Sequence, residues 1–190
     1  MITAYAKNKA LDGITFTQVS LHSDWPGTTG ANELSGGSYA RVSVTVGAAS
    51  GGIRTASQAS LYVPASTVKW IGWWDVSNFL FATPNGGATP KNFVAIPSTD
   101  LIHSPAHGYA DTTEIVFWGG TAPGGCAAGT TYFVRDAATD SFKVAATSGG
   151  TAIDLTASAS VGCWVSAITA KTYATAATHT VTVGTFLVPD

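Results

Sequence analysis

Histidine gives the first candidate site in this chain. The four histidines are His22, His103, His107 and His179. His103 and His107 are four residues apart, a metal-binding spacing on a helix, but Pro105 and Gly108 disfavour a helix there. Zinc would also need further ligands, and the nearby candidates are Asp100, Cys126 and Cys163. We therefore expect a turn at His107, a strand starting at His103, and no metal or other cofactor.

Pairs of carboxylates are the second candidate. Asp24 and Glu33 flank one loop, and Asp136 and Asp140 flank another. Such pairs can catalyse glycoside hydrolysis or bind calcium. The loop 136–140 lacks the dense oxygen ligands and central glycine of a calcium loop, and spacing alone does not indicate the cleft of a glycosidase. We expect these groups to be solvated carboxylates in turns.

Motifs for nucleophilic catalysis and phosphate binding are the third possibility. Serine and threonine are abundant, but no Gly-x-Ser-x-Gly turn is accompanied by suitably placed His and Asp residues. The glycine-rich stretches Ser50–Gly52 and Gly119–Gly120 do not follow phosphate-binding patterns. The sequence therefore predicts no catalytic residues and a protein that is not an enzyme.

Tryptophan and cysteine each allow more than one interpretation. Trp25, Trp118 and Trp164 lie outside the most apolar strand, and are either core residues or exposed rings that stack on sugars. Cys126 and Cys163 are the only cysteines. They can form one disulfide, bind metal with help, or remain small buried hydrophobic residues.

Composition excludes several classes of function. The net charge is −2, and no run of Lys or Arg provides the basic face that a nucleic-acid-binding protein needs. No apolar run approaches the roughly 20 residues of a membrane-spanning helix, and the N-terminal residues contain no apolar signal-peptide core. With 45% hydrophobic and only 11% charged residues, we expect a folded domain whose neutral surface contacts partners.

The most apolar strand is the element that must organise the core. The stretch Val68–Val76 is rich in aromatic and β-branched residues and is apolar on both faces. One face, with Val68, Trp70, Trp74 and Val76, is expected to fill the core. The other face, with Ile71 and Trp73, needs another cover, either an inserted module or a neighbouring subunit. Ile71 and Trp73 are therefore our candidate oligomer or assembly interface.

The remaining elements predict an all-β fold. A short helix is expected from Thr3 to Leu11, and further strands follow between Gly/Pro turns, at Ile14–His22, Tyr39–Val46 and Asn78–Ala82. Later, Thr131–Arg135 and Ser141–Ala146 form a hairpin pattern around a five-residue loop. Short strands at regular spacing are typical of an antiparallel β-sandwich or barrel.

Several segments in the same order resemble a family of small structural proteins of tailed bacteriophages. The segments are Val19–Asp24, Pro26–Arg41, Val46–Gly52, the apolar strand end Ile71–Asp75, Ala170–Tyr173 and the Thr-rich closing strand His179–Val183. Members of this family are tail-fibre or minor tail proteins, and jelly-roll relatives of similar size decorate capsids. The resemblance covers most of 14–83 and 167–188.

The residues between these segments resemble a different element. Roughly eighty residues separate the apolar strand from the closing strand, and they resemble a small all-β module that recurs in phage tail and fibre proteins. We therefore predict a discontinuous jelly-roll-like β-sandwich, residues 1–85 and 167–190, with an inserted small β domain, residues 86–166.

The resemblance also implies a function. It implies a virion structural protein, assembled in the host cytoplasm, that contacts the major capsid protein or tail proteins. The sandwich, the low charge and the inserted module suit self-association, and we expect a homotrimer. We prefer capsid decoration or cement on the particle exterior. The alternative is a minor tail or tail-fibre protein, with host glycans as a possible ligand.

Overall fold

The computed structural model of the protein describes residues 2–86, 89–182 and 185–187. The chain divides into two compact units, Met1–Gly87 with Ala170–Asp190, and Ala88–Thr169. The domain boundaries expected after residues 85 and 166 lie two and three residues from the observed ones. The all-β class with one short N-terminal helix is confirmed. The jelly-roll-like connectivity stays a prediction.

The described part of the chain contains one α-helix and sixteen strands. The helix, α1, is Ala4–Asp12, followed by β1 Gln18–His22, β2 Val42–Ser43, β3 Ile53–Thr55, β4 Ala59–Val63, β5 Ser66–Val68, β6 Trp70–Asp75 and β7 Asn78–Pro84. The second unit contributes β8 Val94–Ile96, a 3₁₀ turn at Pro97–Thr99, β9 Leu101–His103, β10 Glu114–Trp118, β11 Thr131–Arg135, β12 Ser141–Ala145 and β13 Trp164–Ala167. The chain then returns to the first unit with β14 Lys171–Tyr173, β15 Ala177–Val181 and β16 Thr185–Leu187.

Helix α1 is capped and attached by polar side chains. Thr3 caps it, because its Oγ1 accepts a hydrogen bond from the Ala6 N–H at 3.3 Å. Asn8 and Asp12 accept hydrogen bonds from the backbone N–H groups of Gly52 and Ala49, each at 2.8 Å. The helix is therefore fixed beside β3 and covers that end of the first unit.

The first unit contains a four-stranded antiparallel sheet and a long ribbon. The sheet has the order β2-β1-β6-β7. In the ribbon, β3, β4 and β5 pair with β16, β15 and β14. The pairing register is the same in the first two strand pairs, where Ile53 pairs with Leu187 and Ala59 pairs with Val181. The register shifts by one residue after Pro64, where Ser66 pairs with Tyr173.

The role predicted for the Ile71 and Trp73 face of β6 is wrong. Ile71 and Trp73 are 4% and 1% exposed and pack with residues of the same unit, including Val19 and Leu61. They form the core of the first unit, so they are not available as the surface that a neighbouring subunit would cover. The physical reason is that the odd-numbered side chains of β6 pack against the ribbon.

The opposite face of β6 is covered by a loop. Trp70 and Trp74 are also buried, beneath the segment Ser23–Arg41, which we call the covering loop. Val76 is not a core residue, because it lies in the turn between β6 and β7 and is 67% exposed.

The second unit is a six-stranded antiparallel sheet whose two outer strands are connected to each other. The strand order is β13-β10-β11-β12-β9-β8. Lys91, just before β8, exchanges two backbone hydrogen bonds with Val165 of β13, at 2.8 and 3.1 Å. The segment leading into β8 therefore connects the two outer strands, as in a small barrel. Its interior contains Phe117, Phe142 and other apolar residues.

Cys126 and Cys163 belong to this second unit and are both free. Cys163 is a member of the buried core, and Cys126 packs against that core. The possible disulfide between them is therefore not formed, and they act as small hydrophobic residues. This is the third of the interpretations that the sequence left open.

Candidate functional site

The two histidines considered for metal binding differ in their exposure to solvent and in their hydrogen-bond partners. His103 is exposed on β9, whereas His107 is buried. The His107 Nε2–H donates to the Ala138 carbonyl at 2.8 Å, and its Nδ1 accepts from the Tyr109 N–H at 3.0 Å. Both ring nitrogens of His107 are thus used by the backbone. Within residues 2–86 and 89–182, no three His, Cys, Asp or Glu side chains are grouped to hold a metal ion.

The carboxylates considered for catalysis have separate structural roles. Asp24 Oδ1 accepts a hydrogen bond from the Trp25 N–H at 2.8 Å, and Asp140 Oδ1 accepts one from the Ala106 N–H at 2.8 Å. Glu33 is not a solvated turn residue. It holds the Arg41 guanidinium through contacts at 2.7, 2.9 and 3.1 Å.

A polar cluster beneath the covering loop is the most elaborate arrangement of functional groups in the described structure. Ser20 and His22 lie on β1 and face Gly72 and Trp70 of β6. The Ser20 Oγ is 2.7 Å from His22 Nε2 and 2.7 Å from Trp74 Nε1. His22 Nδ1 lies 2.7 Å from the carbonyl of Ala31 in the covering loop.

The partners determine the direction of each hydrogen bond in the cluster. The Ala31 carbonyl only accepts, so His22 carries its proton on Nδ1 and its Nε2 is an acceptor. Ser20 therefore donates its hydroxyl proton to His22 Nε2, and its oxygen accepts from the Trp74 indole N–H. Burial lowers the pKa of His22, which keeps the ring neutral, as this arrangement requires.

Gly72 supplies the space for this cluster. A Cβ atom at position 72 would collide with both Ser20 Oγ and His22 Nε2. The Ser20 and His22 side chains therefore occupy the volume that a side chain at position 72 would need. This explains a glycine inside an otherwise aromatic strand.

The covering loop is fixed to the cluster by charge, aromatic stacking and close packing. The Arg41 guanidinium lies 3.2 Å from the centre of the Trp74 ring. Gly30 lies against the same indole, and a Cβ there would collide with it. Trp25 packs edge-on against Trp70 with ring centres 4.7 Å apart. The loop thus encloses both tryptophans of this face.

The hydrogen bonds of the cluster have the same donors and acceptors as those between a nucleophilic serine and its general base. In such sites a serine donates to His Nε2, and an acceptor orients the ring through Nδ1. Ser20 and His22, however, are both 0% exposed. Neither can contact a substrate in this conformation, so the arrangement connects the loop to the sheet and satisfies buried polar groups.

Another buried histidine, His179, is held in a similar way at the ribbon. His179 Nε2 donates to Asn85 Oδ1 at 3.1 Å, and its Nδ1 accepts from the Tyr173 hydroxyl at 2.9 Å. Burial lowers the pKa of His179, and Lys171 lowers it further. This histidine connects the closing strands to the end of β7.

The three tryptophans considered as surface aromatics fall into two groups. Trp25 is half-buried against Trp70, as part of the covering loop. Trp118 and Trp164 are half-buried in the second unit and face each other directly on β10 and β13. The Trp118 indole N–H donates to Ser166 Oγ at 2.9 Å, which fixes the orientation of its ring.

Sequence reasoning did not identify Ser20, His22 and Trp74 as one cluster. The available signal was that Gln18, Ser20 and His22 alternate on one face of a strand. Recognising the cluster required the register that places Ser20 opposite Gly72, and sequence periodicity does not contain that register.

Comparisons with protein-family models, curated proteins and solved structures found no match to this chain.

Proposed function

We propose that this protein is a non-enzymatic structural protein of a tailed-bacteriophage virion, which associates with itself and decorates the particle exterior. The proposal starts from the resemblance of the segments between Val19 and Gly52 to that family. What the described contacts add is the role of those residues.

The observation that carries the proposal is that the distinctive residues of this stretch build the fold. Gly30 makes room for Trp74, and Glu33 binds Arg41. Gly37, with φ of 58°, lies against the Tyr62 ring, and the Leu21 N–H donates to the Tyr39 hydroxyl at 2.8 Å. Because the shared residues stabilise the fold, the resemblance to the phage family is a resemblance in architecture. It supports a structural role rather than a shared reaction.

The neutral surface supports the same proposal. Only 11% of the residues are charged. A surface with few charges can be covered by neighbouring subunits without a large desolvation cost. The assemblies that we propose are homotrimers in contact with the major capsid protein, because the compact chain contains no long fibrous repeat.

Quantitative mass spectrometry of purified particles tests this proposal. We expect the chain in the virion at hundreds of copies if it decorates the capsid, and at a handful if it belongs to the tail. Its absence from purified particles, despite expression in the infected cell, would overturn the virion role. A low copy number would replace decoration with the minor-tail or tail-fibre alternative.

One observation favours glycan binding as a second candidate function. Trp118 and Trp164 form a directly opposed cross-strand pair, and both rings retain some exposure. Gly119, with φ of 83°, lies against the Trp164 ring, where a Cβ would come within 2.9 Å. Both rings are therefore held in place, which reduces the entropy lost when an aromatic surface stacks on a ligand.

A glycan array probed with the full chain and with Trp164→Ala tests this candidate. We expect binding to neutral saccharides that the variant loses, while Trp25→Ala, which alters the covering loop of the other unit, retains it. No binding by the unmodified chain at high micromolar concentration would reject glycan recognition and leave the structural role unaffected.

A further inference from the structure

The closing segment of the chain forms an open edge of the first unit. It contributes β14 and β15, which pair only with β5 and β4 within the described residues. The backbone hydrogen bonds between described residues outside the regular strands include none to residues 171–182. Within the described structure, one side of this segment therefore presents N–H and C=O groups without a strand partner.

Side-chain exposure indicates that this edge is accessible. Ala174, Thr175 and Ala176, which connect the two strands, are all exposed. Thr178 and Thr180 are exposed along β15, whereas His179 and Val181 between them are buried. The edge is therefore a regular strand with its inner face in the core and its outer face in water.

Charged residues and proline, which usually protect an edge, are absent from β15. Natural proteins block open edges with charged residues, proline, bulges or a covering element. From Thr172 to Thr182 the sequence contains no Asp, Glu, Lys, Arg or Pro. By contrast, α1 is attached beside β3 at the other end of the same ribbon.

We propose that β15 is a self-association surface, on which a second copy of this chain pairs its own β15 in antiparallel orientation. A two-fold contact places each residue near its own counterpart or a close neighbour. Charged residues would then oppose like charges, so an uncharged strand suits such a contact. Facing threonines also form favourable cross-strand pairs.

This inference concerns how copies join and does not depend on where the protein sits in a particle. A two-fold strand contact accounts for dimers, and it would also link neighbouring trimers. It replaces the Ile71 and Trp73 interface, since those two side chains are enclosed in the core of one chain.

A pair of matched lysine variants tests the proposal. Thr180 on β15 and Ser60 on β4 are register partners, and both are exposed. Thr180→Lys places a charge on β15 itself, whereas Ser60→Lys places the same charge on β4, the strand that β15 already pairs with. Sedimentation velocity of the full chain, with circular dichroism to confirm folding, gives the mass of each form.

We expect the unmodified chain and Ser60→Lys to have at least twice the mass of Thr180→Lys. Hydrogen exchange of the amides in Ala177–Val181 should be at least tenfold slower in the associated form than in Thr180→Lys. A monomeric unmodified chain, or an unchanged mass for Thr180→Lys, would overturn the proposal. An equal effect of both variants would also overturn it, because the contact would then use the outer face rather than the edge.

The particle measurement separates this inference from the proposed function. A chain that is monomeric in solution, yet present in purified virions, would overturn edge pairing and leave the virion role in place. A chain that pairs through β15, yet is absent from virions, would give the reverse result.

Discussion

Gly72 of β6 lies directly opposite Ser20 of β1, and the Ser20 hydroxyl occupies the space above the glycine. The same space receives the His22 ring, which reaches across to the Ala31 carbonyl. The missing side chain at position 72 thus allows a buried histidine to connect the sheet to the covering loop.

Gly72→Ala should destabilise the first unit. The added Cβ would displace Ser20 and His22, which are both completely buried and hydrogen-bonded. Inserting atoms into a packed site typically costs about 1–3 kcal/mol, and misplacing the hydroxyl adds the cost of an unsatisfied polar group. Denaturant unfolding of the full chain followed by tryptophan fluorescence measures the change.

Gly47→Ala is the matched control for that substitution. Gly47 has open space around its Cβ position and does not need a left-handed backbone. It should therefore change the unfolding free energy by no more than about 1 kcal/mol. Equal effects of the two substitutions would show that the crowding at Gly72 has no energetic consequence.

Acidification should loosen the covering loop through His22. Burial lowers the pKa of His22, so the folded protein binds fewer protons than the unfolded chain below the ordinary histidine pKa of about 6.5. The stabilisation is complete above that pH and decreases as the pH falls toward the folded-state pKa. The loss reaches about 1.4 kcal/mol per pH unit for one group. His179 contributes in the same direction, since burial lowers its pKa too.

Unfolding midpoints measured in urea at several pH values between about 5 and 8 test this dependence. His22→Gln should reduce the slope to the part that His179 contributes, whatever its effect on absolute stability, because Gln does not titrate. The exposed His103 provides the control, so His103→Gln should retain the slope. Glu33 and Arg41 are the charged groups that face His22. An unchanged slope in His22→Gln would assign the dependence to His179, whose pKa burial also lowers.

The general architecture was predictable from local sequence, because alternation and turn residues are local signals. The hairpin at Thr131–Arg135 and Ser141–Ala145 is an example. The short helix from Ala4 is another, since Thr3 is a recognisable cap. These elements depend on residues close together in the chain.

The roles of the two faces of β6 were not predictable in the same way. Both faces are apolar, so the pattern does not distinguish the face against the ribbon from the face beneath the covering loop. The choice depends on partners far along the chain, such as the closing strand that pairs with β4. The Ser20 and His22 cluster was missed for the same reason.

The two thiols should be protected from reagents in the folded protein. Cys163 is buried in the core of the second unit, and burial raises the pKa of Cys126 to about 11. Thiolates are the reactive species, so both groups should react slowly at neutral pH. Labelling with a chromogenic disulfide reagent should proceed at least tenfold faster in guanidinium than in buffer.

Intact mass spectrometry checks the free state of the same residues. Samples prepared with and without reductant should have the same mass, because no disulfide joins Cys126 and Cys163. A mass difference, or labelling in guanidinium only after reduction, would contradict the free-thiol assignment. Cys163→Ala should lower stability, since it leaves a small cavity in the core.

Val76→Gly should stabilise the first unit, which is an unusual expectation for a glycine substitution. Val76 begins the two-residue link between β6 and β7 and has φ of 52°. A β-branched residue is strained in this region, at a cost of roughly 1–2 kcal/mol. Glycine removes the strain, and the greater entropy of the unfolded chain offsets only part of the gain, about 0.4–1 kcal/mol. We expect a net increase of about 0.5 kcal/mol in the unfolding free energy.

Val161→Gly is the control, because Val161 is also exposed and lies outside the left-handed region. The entropy term acts alone there, so that variant should be neutral or slightly destabilised. The Val76 side chain is 67% exposed, and its removal sacrifices little packing. Since the Val76 N–H donates to Thr17 Oγ1 at 2.6 Å, the backbone position stays anchored in the variant. Destabilisation by Val76→Gly as large as that by Val161→Gly would show that the turn stores no strain.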